Sequence, residues 1–243
     1  MWDLFLKNNG EFVNYGLEHL IAFISCIAFI AGILYFGKKS WTTKQKYNYI
    51  IFICLLGAAS QLFKVFYKLE AGIFHAYEDL PLHLCNLMSM VMPLVYIFRL
   101  RIVWGITFFW IMAGCAQSIF TPTLTESMPH YEAIRYWLVH AVIILGALYG
   151  NMVIGWKIVW QDAVRSIIGI NLLAAVLYPT NVLLESNYMY MNAKPPGTTF
   201  YDLLGPWPNY IVSLEFIVIS VFMLMLIPFY WDRIKALMVS KII

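Results

Sequence analysis

Long apolar stretches separated by short polar segments run through the whole chain. Seven of them approach the roughly 20 mostly apolar residues that a helix needs to cross a bilayer. They cover approximately 17–37, 47–67, 82–98, 102–120, 134–154, 164–186 and 209–230. The pattern predicts an all-α integral membrane protein. We expect one polytopic domain over residues 1–243, built as a bundle of seven transmembrane helices.

The composition supports this prediction and excludes several protein classes. Hydrophobic residues make up 62% of the chain and charged residues 12%, whereas soluble domains have about 45–50% and about 25%. A soluble fold of this size cannot bury so much apolar surface. A soluble globular enzyme, a nucleic-acid-binding protein and a disordered chain are therefore excluded.

The basic residues predict how the bundle is oriented. Eleven of the 16 Lys and Arg residues fall in the segments after the first, third and fifth spans or in the tail. Cytoplasmic loops carry the excess of Lys and Arg in membrane proteins. We therefore expect the N-terminus outside and the C-terminus in the cytoplasm. Most acidic residues and all histidines then fall on the outer side.

Polar side chains inside the spans concentrate at one depth. At 1.5 Å per helical residue, they lie about 5–10 Å below the outer ends of five spans. They are Cys85, Asn86, Gln117, His140, Asn181 and Glu215. An unpartnered polar group is costly in hydrocarbon, so we expect this layer to form one network or to line one cavity.

Cys85 and His140 are the candidates for chemistry in this layer. Pro81 suits the first turn of a helix, and a cysteine near a helix N-terminus is stabilised as a thiolate. His140 at a similar depth can act as the base, with Asn86, Gln117 or backbone N–H groups as oxyanion donors. The alternative is that Cys85 packs and His140 bridges helices by hydrogen bonds. The other span cysteines, Cys26, Cys54 and Cys115, are interpreted as small apolar fillers.

His83 is a further candidate for lining the site. On a regular helix it points roughly 200° away from Cys85, which makes it a poor base for that thiol. A metal site formed by His75, Asp79 and His83 at i, i+4 and i+8 is disfavoured, because Pro81 interrupts the helix. We predict no metal and no cofactor, since the sequence has no nucleotide, haem or phosphate motif.

The outer segment 187–208 is long, aromatic and proline-rich. It predicts either an ordinary interfacial aromatic belt or a lid above the polar layer. The candidate lid residues are Tyr188, Tyr190, Trp207 and Tyr210.

Two segments carry a resemblance to a known family. Leu80-Pro81-Leu82-His83-Leu84-Cys85 and Leu204-Gly205-Pro206-Trp207-Pro208-Asn209-Tyr210 resemble the YwaF-type bacterial membrane proteins. Those proteins are similar to the eukaryotic transmembrane protein 164 family. The resemblance covers essentially the whole chain in span number and order. It implies a bacterial cell membrane protein, and the polar layer near the outer ends of the spans predicts that the site faces the outer side.

The eukaryotic relatives resemble acyltransferases that move fatty acyl chains between phospholipids through a cysteine and a histidine. The resemblance implies that Cys85 is the nucleophile and His140 its partner, with membrane lipids as substrate or solvent. Donor, acceptor, transfer versus hydrolysis and oligomeric state stay open. A non-catalytic transporter or small-molecule binding protein that uses the same polar cavity is the alternative. A seven-span receptor or scaffold has no feature of its own in the sequence.

Overall fold

Seven apolar helices make up most of the part of the chain that the structure describes. The computed structural model describes residues 10–195 and 200–239; the remaining residues, including 196–199 of the predicted lid, lie outside it. The helices are α1 (Leu17–Lys39), α2 (Thr43–Glu70), α3 (Leu84–Ile97), α4 (Arg101–Trp110), α5 (Tyr131–Tyr149), α6 (Trp160–Leu183) and α7 (Asn209–Val239). The described residues contain no strand, only a bridge between Glu11 and Glu126.

The helices match the predicted spans in number and order. Six helical segments are long and apolar enough to cross a membrane, and α3 is a shorter apolar helix. This supports a multi-pass membrane protein. Helix ends differ from the predicted bounds where polar residues continue a helix. Helix α2 begins at Thr43 because Thr42 and Gln45 form a reciprocal capping box.

Two of the spans change helix type before they end. Helix α4 continues as a π-helical turn (Ile111–Cys115) and a short 3₁₀ helix (Ala116–Ile119). Helix α5 continues as a second π-helical turn (Gly150–Ile154). Such insertions shift side chains around the helix axis and are frequent at functional sites.

Helix α5 forms the centre of the bundle. In the most apolar 18-residue stretch of α5 and its π-helical turn, 72% of the residues are buried. The corresponding values are 17% for α6 and 11% for α7, which lie at the periphery. Glycines allow the neighbours of α5 to approach closely. A Cβ at Gly57 of α2 would lie 3.0 Å from Val142 Cγ1, and one at Gly146 of α5 would lie 2.6 Å from Met92 Cε of α3.

Antiparallel neighbours place the connecting segments at two opposite ends. One end, which we call the site end, gathers residues 71–83, 120–130 and 184–195. Hydrogen bonds join these segments to one another and to the N-terminal stretch, from Leu80 N to Tyr188 Oη and from Phe12 N to Thr125 O. At the opposite end, Arg101 joins α4 to α6, because it donates from both terminal nitrogens to the buried Asp162.

Candidate functional site

Cys85 lies at the very start of α3, at the site end. The helix begins at Leu84 after an extended His83, so the expectation that Pro81 opens the helix is wrong. Pro81 lies instead in the turn before it. The first backbone bond of the helix runs from Leu87 N to His83 O. The N–H groups of Leu84, Cys85 and Asn86 come before this first bond and so have no acceptor within the helix. The His83 side chain does not cap any of them.

His140 of α5 is held in one defined tautomer. Its ring is 5% exposed, and Nδ1 lies 2.8 Å from the Tyr136 carbonyl oxygen. A carbonyl oxygen only accepts, so Nδ1 carries the proton and donates. In the neutral imidazole, the other nitrogen, Nε2, then carries no proton and can accept one. It is buried without a partner of standard hydrogen-bond geometry.

The structure brings Cys85 and His140 together. His140, Cys115 and Ser118 all lie within interaction range of the Cys85 sulfur. Because Nε2 has no well-aligned partner, the thiol–imidazole contact is looser than a standard hydrogen bond. Such looseness is common between acid–base partners before a substrate binds. Among the four cysteines, all free thiols, only Cys85 is partly exposed and the other three are buried.

Cys115 and Ser118 reach Cys85 because of the π-helical turn that follows α4. Cys115 ends that turn and Ser118 lies in the 3₁₀ helix after it. Gly114 permits the approach, since a Cβ there would lie 3.1 Å from Leu84 Cδ2. The interpretation of Cys115 as a mere apolar filler is therefore incomplete. Its sequence signal is weak, because only the change of helix type brings it beside Cys85.

Tyr136 orients the histidine further. Its ring packs on His140 with centroids 4.2 Å apart, and its hydroxyl donates to the Ser118 carbonyl at 2.9 Å. This bond ties α5 to the segment that presents Cys115 and Ser118. Sequence reasoning did not single out Tyr136, which lies four residues, or about one helical turn, before His140.

The remaining residues of the predicted polar layer divide into separate groups. Asn86 accepts a hydrogen bond from Arg135 at 3.2 Å. The side chain of Gln117 is exposed, and no described hydrogen bond joins it to Cys85 or His140. Glu215 accepts from Asn171 between α6 and α7. The expectation of one continuous network is therefore not met in the described residues.

Asn181 anchors the segment that follows α6. Fully buried, it donates to the carbonyl of Tyr188 at 3.0 Å and accepts from its N–H at 2.8 Å. The Tyr188 hydroxyl accepts from Leu80 N at 3.1 Å and donates to Ala76 O at 2.6 Å. Burial raises the pKa of Tyr188 to about 12, so the hydroxyl keeps the proton that it donates. Asn181 thus positions the predicted lid and does not contribute a hydrogen bond to Cys85.

The described part of the predicted lid packs on His83. The His83 ring lies 5.2 Å from Tyr188 and 5.4 Å from Tyr190, between ring centroids. Met189 and Tyr190 both have positive φ, at 58° and 56°. Two successive left-handed residues without glycine are strained, and such strain concentrates at functional sites. His83 precedes the helix, so the 200° argument from a regular helix does not apply to it.

Two residues from the second half of the predicted lid hydrogen-bond to the backbone at Tyr190 and Met191. Tyr210, fully buried at the start of α7, donates to the Tyr190 carbonyl at 2.6 Å. Trp207 donates from its indole nitrogen to the Met191 carbonyl at 3.1 Å and is otherwise exposed. Both residues therefore act on the backbone next to Tyr190 and not on the thiol directly.

Metal-ligand chemistry has no support around Asp79. This carboxylate lies between two lysines, 3.1 Å from Lys64 Nζ and 2.5 Å from Lys68 Nζ. Burial acts to raise its pKa, but hydrogen bonds from Lys68 and from His75 N–H and the charge of Lys64 outweigh burial and lower it. Within the described residues, no group of three His, Cys, Asp or Glu side chains could hold a metal ion.

An open apolar groove of about 600 Å³ lies elsewhere, between α1 and α5. Its lining includes Ala22, Cys26, Trp137 and Ala141, and none of the side chains that contact Cys85. The chemistry of this site and the groove are therefore separate features.

Comparison with known families adds to this geometry. The model of the TMEM164 family matches residues 14–226. The chain belongs to the TMEM164 family. The match covers the first six helices and the first 18 residues of α7, and it includes every candidate residue of this TMEM164-family site. A search of curated proteins found no match, and neither did a search of solved structures.

Proposed function

We propose that this TMEM164-family protein is a membrane lipid acyltransferase, or a related acyl hydrolase, with Cys85 as nucleophile and His140 as base. One observation carries the proposal. The single partly exposed cysteine lies at a helix N-terminus against a buried histidine whose free nitrogen faces no other partner. Nucleophile, base and an orienting carbonyl are the parts that cysteine acyl transfer requires.

The first half-reaction forms an acyl-cysteine. His140 Nε2 takes the proton of the Cys85 thiol, and the thiolate attacks the carbonyl carbon of a lipid ester. The negative charge on the carbonyl oxygen is stabilised by N–H groups at the start of α3. The bond to the alcohol oxygen then breaks, and His140 returns the proton to the departing lysolipid.

The second half-reaction regenerates the thiol. His140 removes a proton from the acceptor hydroxyl or from water, whose oxygen attacks the thioester carbonyl. The carbon–sulfur bond breaks, and the proton passes from His140 to Cys85. A lysolipid acceptor gives transfer, while water gives hydrolysis. Tyr136 keeps the ring in the required tautomer through its carbonyl, and so the same Nε2 serves both steps.

The proposed orientation places this chemistry at the outer leaflet of a bacterial cell membrane. The excess of Lys and Arg around the end opposite to the site supports a cytoplasmic position for that end. The N-terminus is then outside and the C-terminus inside. A partly exposed cysteine at the end of a membrane helix suits a lipid that enters laterally from the bilayer.

The test is covalent capture of the acyl chain. Purified protein in lipid nanodiscs is incubated with a phospholipid carrying an alkyne-tagged acyl chain, and label that neutral hydroxylamine releases is measured. We expect wild type to form this thioester and Cys85→Ala to form none. Cys26→Ala is the matched control, because Cys26 is buried and is not among the side chains that interact with Cys85. Equal labelling of wild type and Cys85→Ala would overturn the proposal.

A further inference from the structure

Three basic side chains are drawn into the bundle at the site end. Lys64 and Lys68 of α2 share the carboxylate of Asp79, at 3.1 and 2.5 Å. Arg135 of α5 lies on the other side. Lys64 and Arg135 are each 8% exposed, so these charges are largely removed from water.

Arg135 is held by acceptors on three helices. It pairs with Glu132 one turn away at 2.8 Å. Its Nη1 donates to Gln61 Oε1 at 2.7 Å and to Asn86 Oδ1 at 3.2 Å. The electrostatic interactions of Lys64 include Glu132 and Arg135 as well as Asp79 and Lys68. These side chains therefore form one cluster, which we call the cationic cluster.

The cationic cluster has one positive charge too many. It contains three cations, Lys64, Lys68 and Arg135, and two carboxylates, Asp79 and Glu132, among the described residues. An uncompensated buried charge is strongly unfavourable. A single negative charge placed among these cations would offset it.

An orphaned hydrogen-bond donor points to the same conclusion. Gln61 is fully buried. Its Oε1 faces Arg135, which can only donate, so its amide nitrogen is fixed on the other side. That nitrogen, Nε2, has no hydrogen-bond partner. A buried donor beside excess positive charge is the arrangement expected for binding an anionic acceptor.

The cationic cluster adjoins the thiol. Asn86, which binds Arg135, directly follows Cys85 in the chain. His83 interacts electrostatically with both Cys85 and Lys64. Lys64 lies six residues before the end of α2 and Arg135 four residues after the start of α5. These positions are about 6–9 Å inside the helix ends, near the boundary between headgroups and hydrocarbon.

We propose that Gln61, Lys64 and Arg135 bind the phosphodiester of a glycerophospholipid and so place its acyl ester at Cys85. A phosphodiester carries one negative charge, which matches the excess charge of the cluster. Its two free oxygens accept from an amide, an ammonium and a guanidinium group. The inference rests on the proposed function, for which it assigns the side chains that bind the lipid headgroup.

The decisive variant is Gln61→Glu. It keeps an acceptor for Arg135 but supplies the missing negative charge from the protein and removes the donor. The fold is therefore expected to remain, while a phosphodiester is repelled. Gln161→Glu, an exposed glutamine at the opposite end, is the matched control. Binding is measured on the Cys85→Ala background, so that no turnover is needed.

The binding assay compares two lipids with the same acyl chains. Native mass spectrometry counts phosphatidylglycerol or diacylglycerol retained by the full chain in detergent. We expect retention of phosphatidylglycerol to fall about tenfold or more in Gln61→Glu, because a charge-assisted hydrogen bond is lost. Retention of diacylglycerol should not change in Gln61→Glu, and retention of phosphatidylglycerol should not change in the control variant Gln161→Glu. Equal retention of both lipids by the unsubstituted background, or no effect of Gln61→Glu, would overturn the inference.

Inorganic phosphate separates a lipid site from a site for the free ion. Competition at phosphate concentrations far above that of the lipid should leave phosphatidylglycerol bound, because the acyl chains add affinity. Full displacement would assign the cluster to the free ion and overturn the lipid assignment. If wild type forms no acyl-Cys85 thioester but phosphatidylglycerol is still retained in a Gln61-dependent way, the proposed function is refuted and the binding site is not.

Discussion

At the scale of the residue, the site depends on which groups are left without partners. His140 Nε2, beside the Cys85 thiol, lacks a well-aligned partner, and Gln61 Nε2 has none. Most buried polar groups in proteins are paired, so each exception calls for an explanation. A proton taken from the thiol would occupy the first nitrogen, and an anionic headgroup would accept from the second.

His140→Asn separates the two functions of the imidazole. The asparagine amide can still donate to the Tyr136 carbonyl, but it has no group in the place of Nε2. We expect thioester formation to slow by about 10²–10⁴-fold, the usual contribution of a general base. The rate of alkyne-lipid labelling at several pH values measures this. His130→Asn is the control, since His130 caps α5 and lies outside the thiol contacts. An unchanged rate in His140→Asn would exclude its role as base.

Asp79→Asn tests the pairing with two lysines. We expect the variant to lose about 3 kcal/mol of stability at pH 7, because two buried ammonium groups lose their carboxylate. The folded pKa of Asp79 is lowered. Its contribution is therefore complete above the unfolded pKa of about 3.9 and disappears as pH falls through the folded value.

The measurement is thermal unfolding in detergent for wild type and Asp79→Asn from pH 7 to acid. The difference between them should shrink only below about pH 4. Glu78→Gln is the control, since Glu78 is the exposed neighbour. A difference that is already small at pH 7 would refute the buried pairing.

At the scale of the element, two irregular segments create the site. The π-helical turn Ile111–Cys115 brings Cys115 to Cys85. The segment after α6 packs tyrosines on His83 and is held by Asn181 and Tyr188. Neither segment is a regular helix. Irregular backbone at membrane depth is tolerated where protein buries it, as it is here.

Tyr188→Phe tests the anchoring of the second segment. The change removes the hydroxyl that joins Leu80 N–H to the Ala76 carbonyl and leaves both without it. A loss of about 1–3 kcal/mol is expected for such buried groups. Hydrogen exchange should speed up in residues 76–83 and 187–195 and remain unchanged in α5. Tyr77→Phe, at an exposed tyrosine, serves as control; equal protection in both variants would contradict the anchoring.

At the scale of the whole molecule, the bundle has a buried centre and a lipid-facing periphery. Helix α5 carries His140 and Arg135 in that centre, where α2 and α3 bring Gln61, Lys64 and Cys85 against it. In their most apolar stretches, α6 and α7 bury only 17% and 11% of their residues, as expected for contact with lipid. The site therefore lies where three helices meet at one end of the bundle.

The membrane orientation is open to a direct test. On a Cys85→Ala background, we expect Glu78→Cys to react with a membrane-impermeant maleimide in intact cells. Ser40→Cys, exposed at the opposite end, should react only after the cells are permeabilised. The buried native cysteines supply the unlabelled baseline. The reverse pattern would place the N-terminus and the site in the cytoplasm.

Much of the architecture follows from local pattern. Apolar stretches long enough to span a bilayer are continuous in sequence, and so all seven helices were predictable with small errors at their ends. The errors have identifiable causes. Polar caps extend α2, and the extended His83 delays the start of α3. Cys85 and His140 could be selected as candidates from the sequence, because polar groups inside spans are rare and costly.

The charged residues inside the spans show where sequence reasoning stopped short. Lys64 and Arg135 lie within predicted spans, yet their positions served only to count charge for orientation. Intramembrane charge by itself is a sign of a functional site. Its meaning depends on partners, and Gln61, Asp79 and Glu132 are 3 to 74 residues from those they bind.

The sequence by itself determined the class of protein, the helices and the candidate thiol and imidazole, since these depend on composition and on periodicity along the chain. Only the tertiary structure decided which polar groups meet. It joined Cys115 and Ser118 to Cys85, removed Gln117 and Glu215 from their side, and assembled the cationic cluster. Pairing of this kind depends on helix packing and on single changes of helix type, which no local pattern specifies.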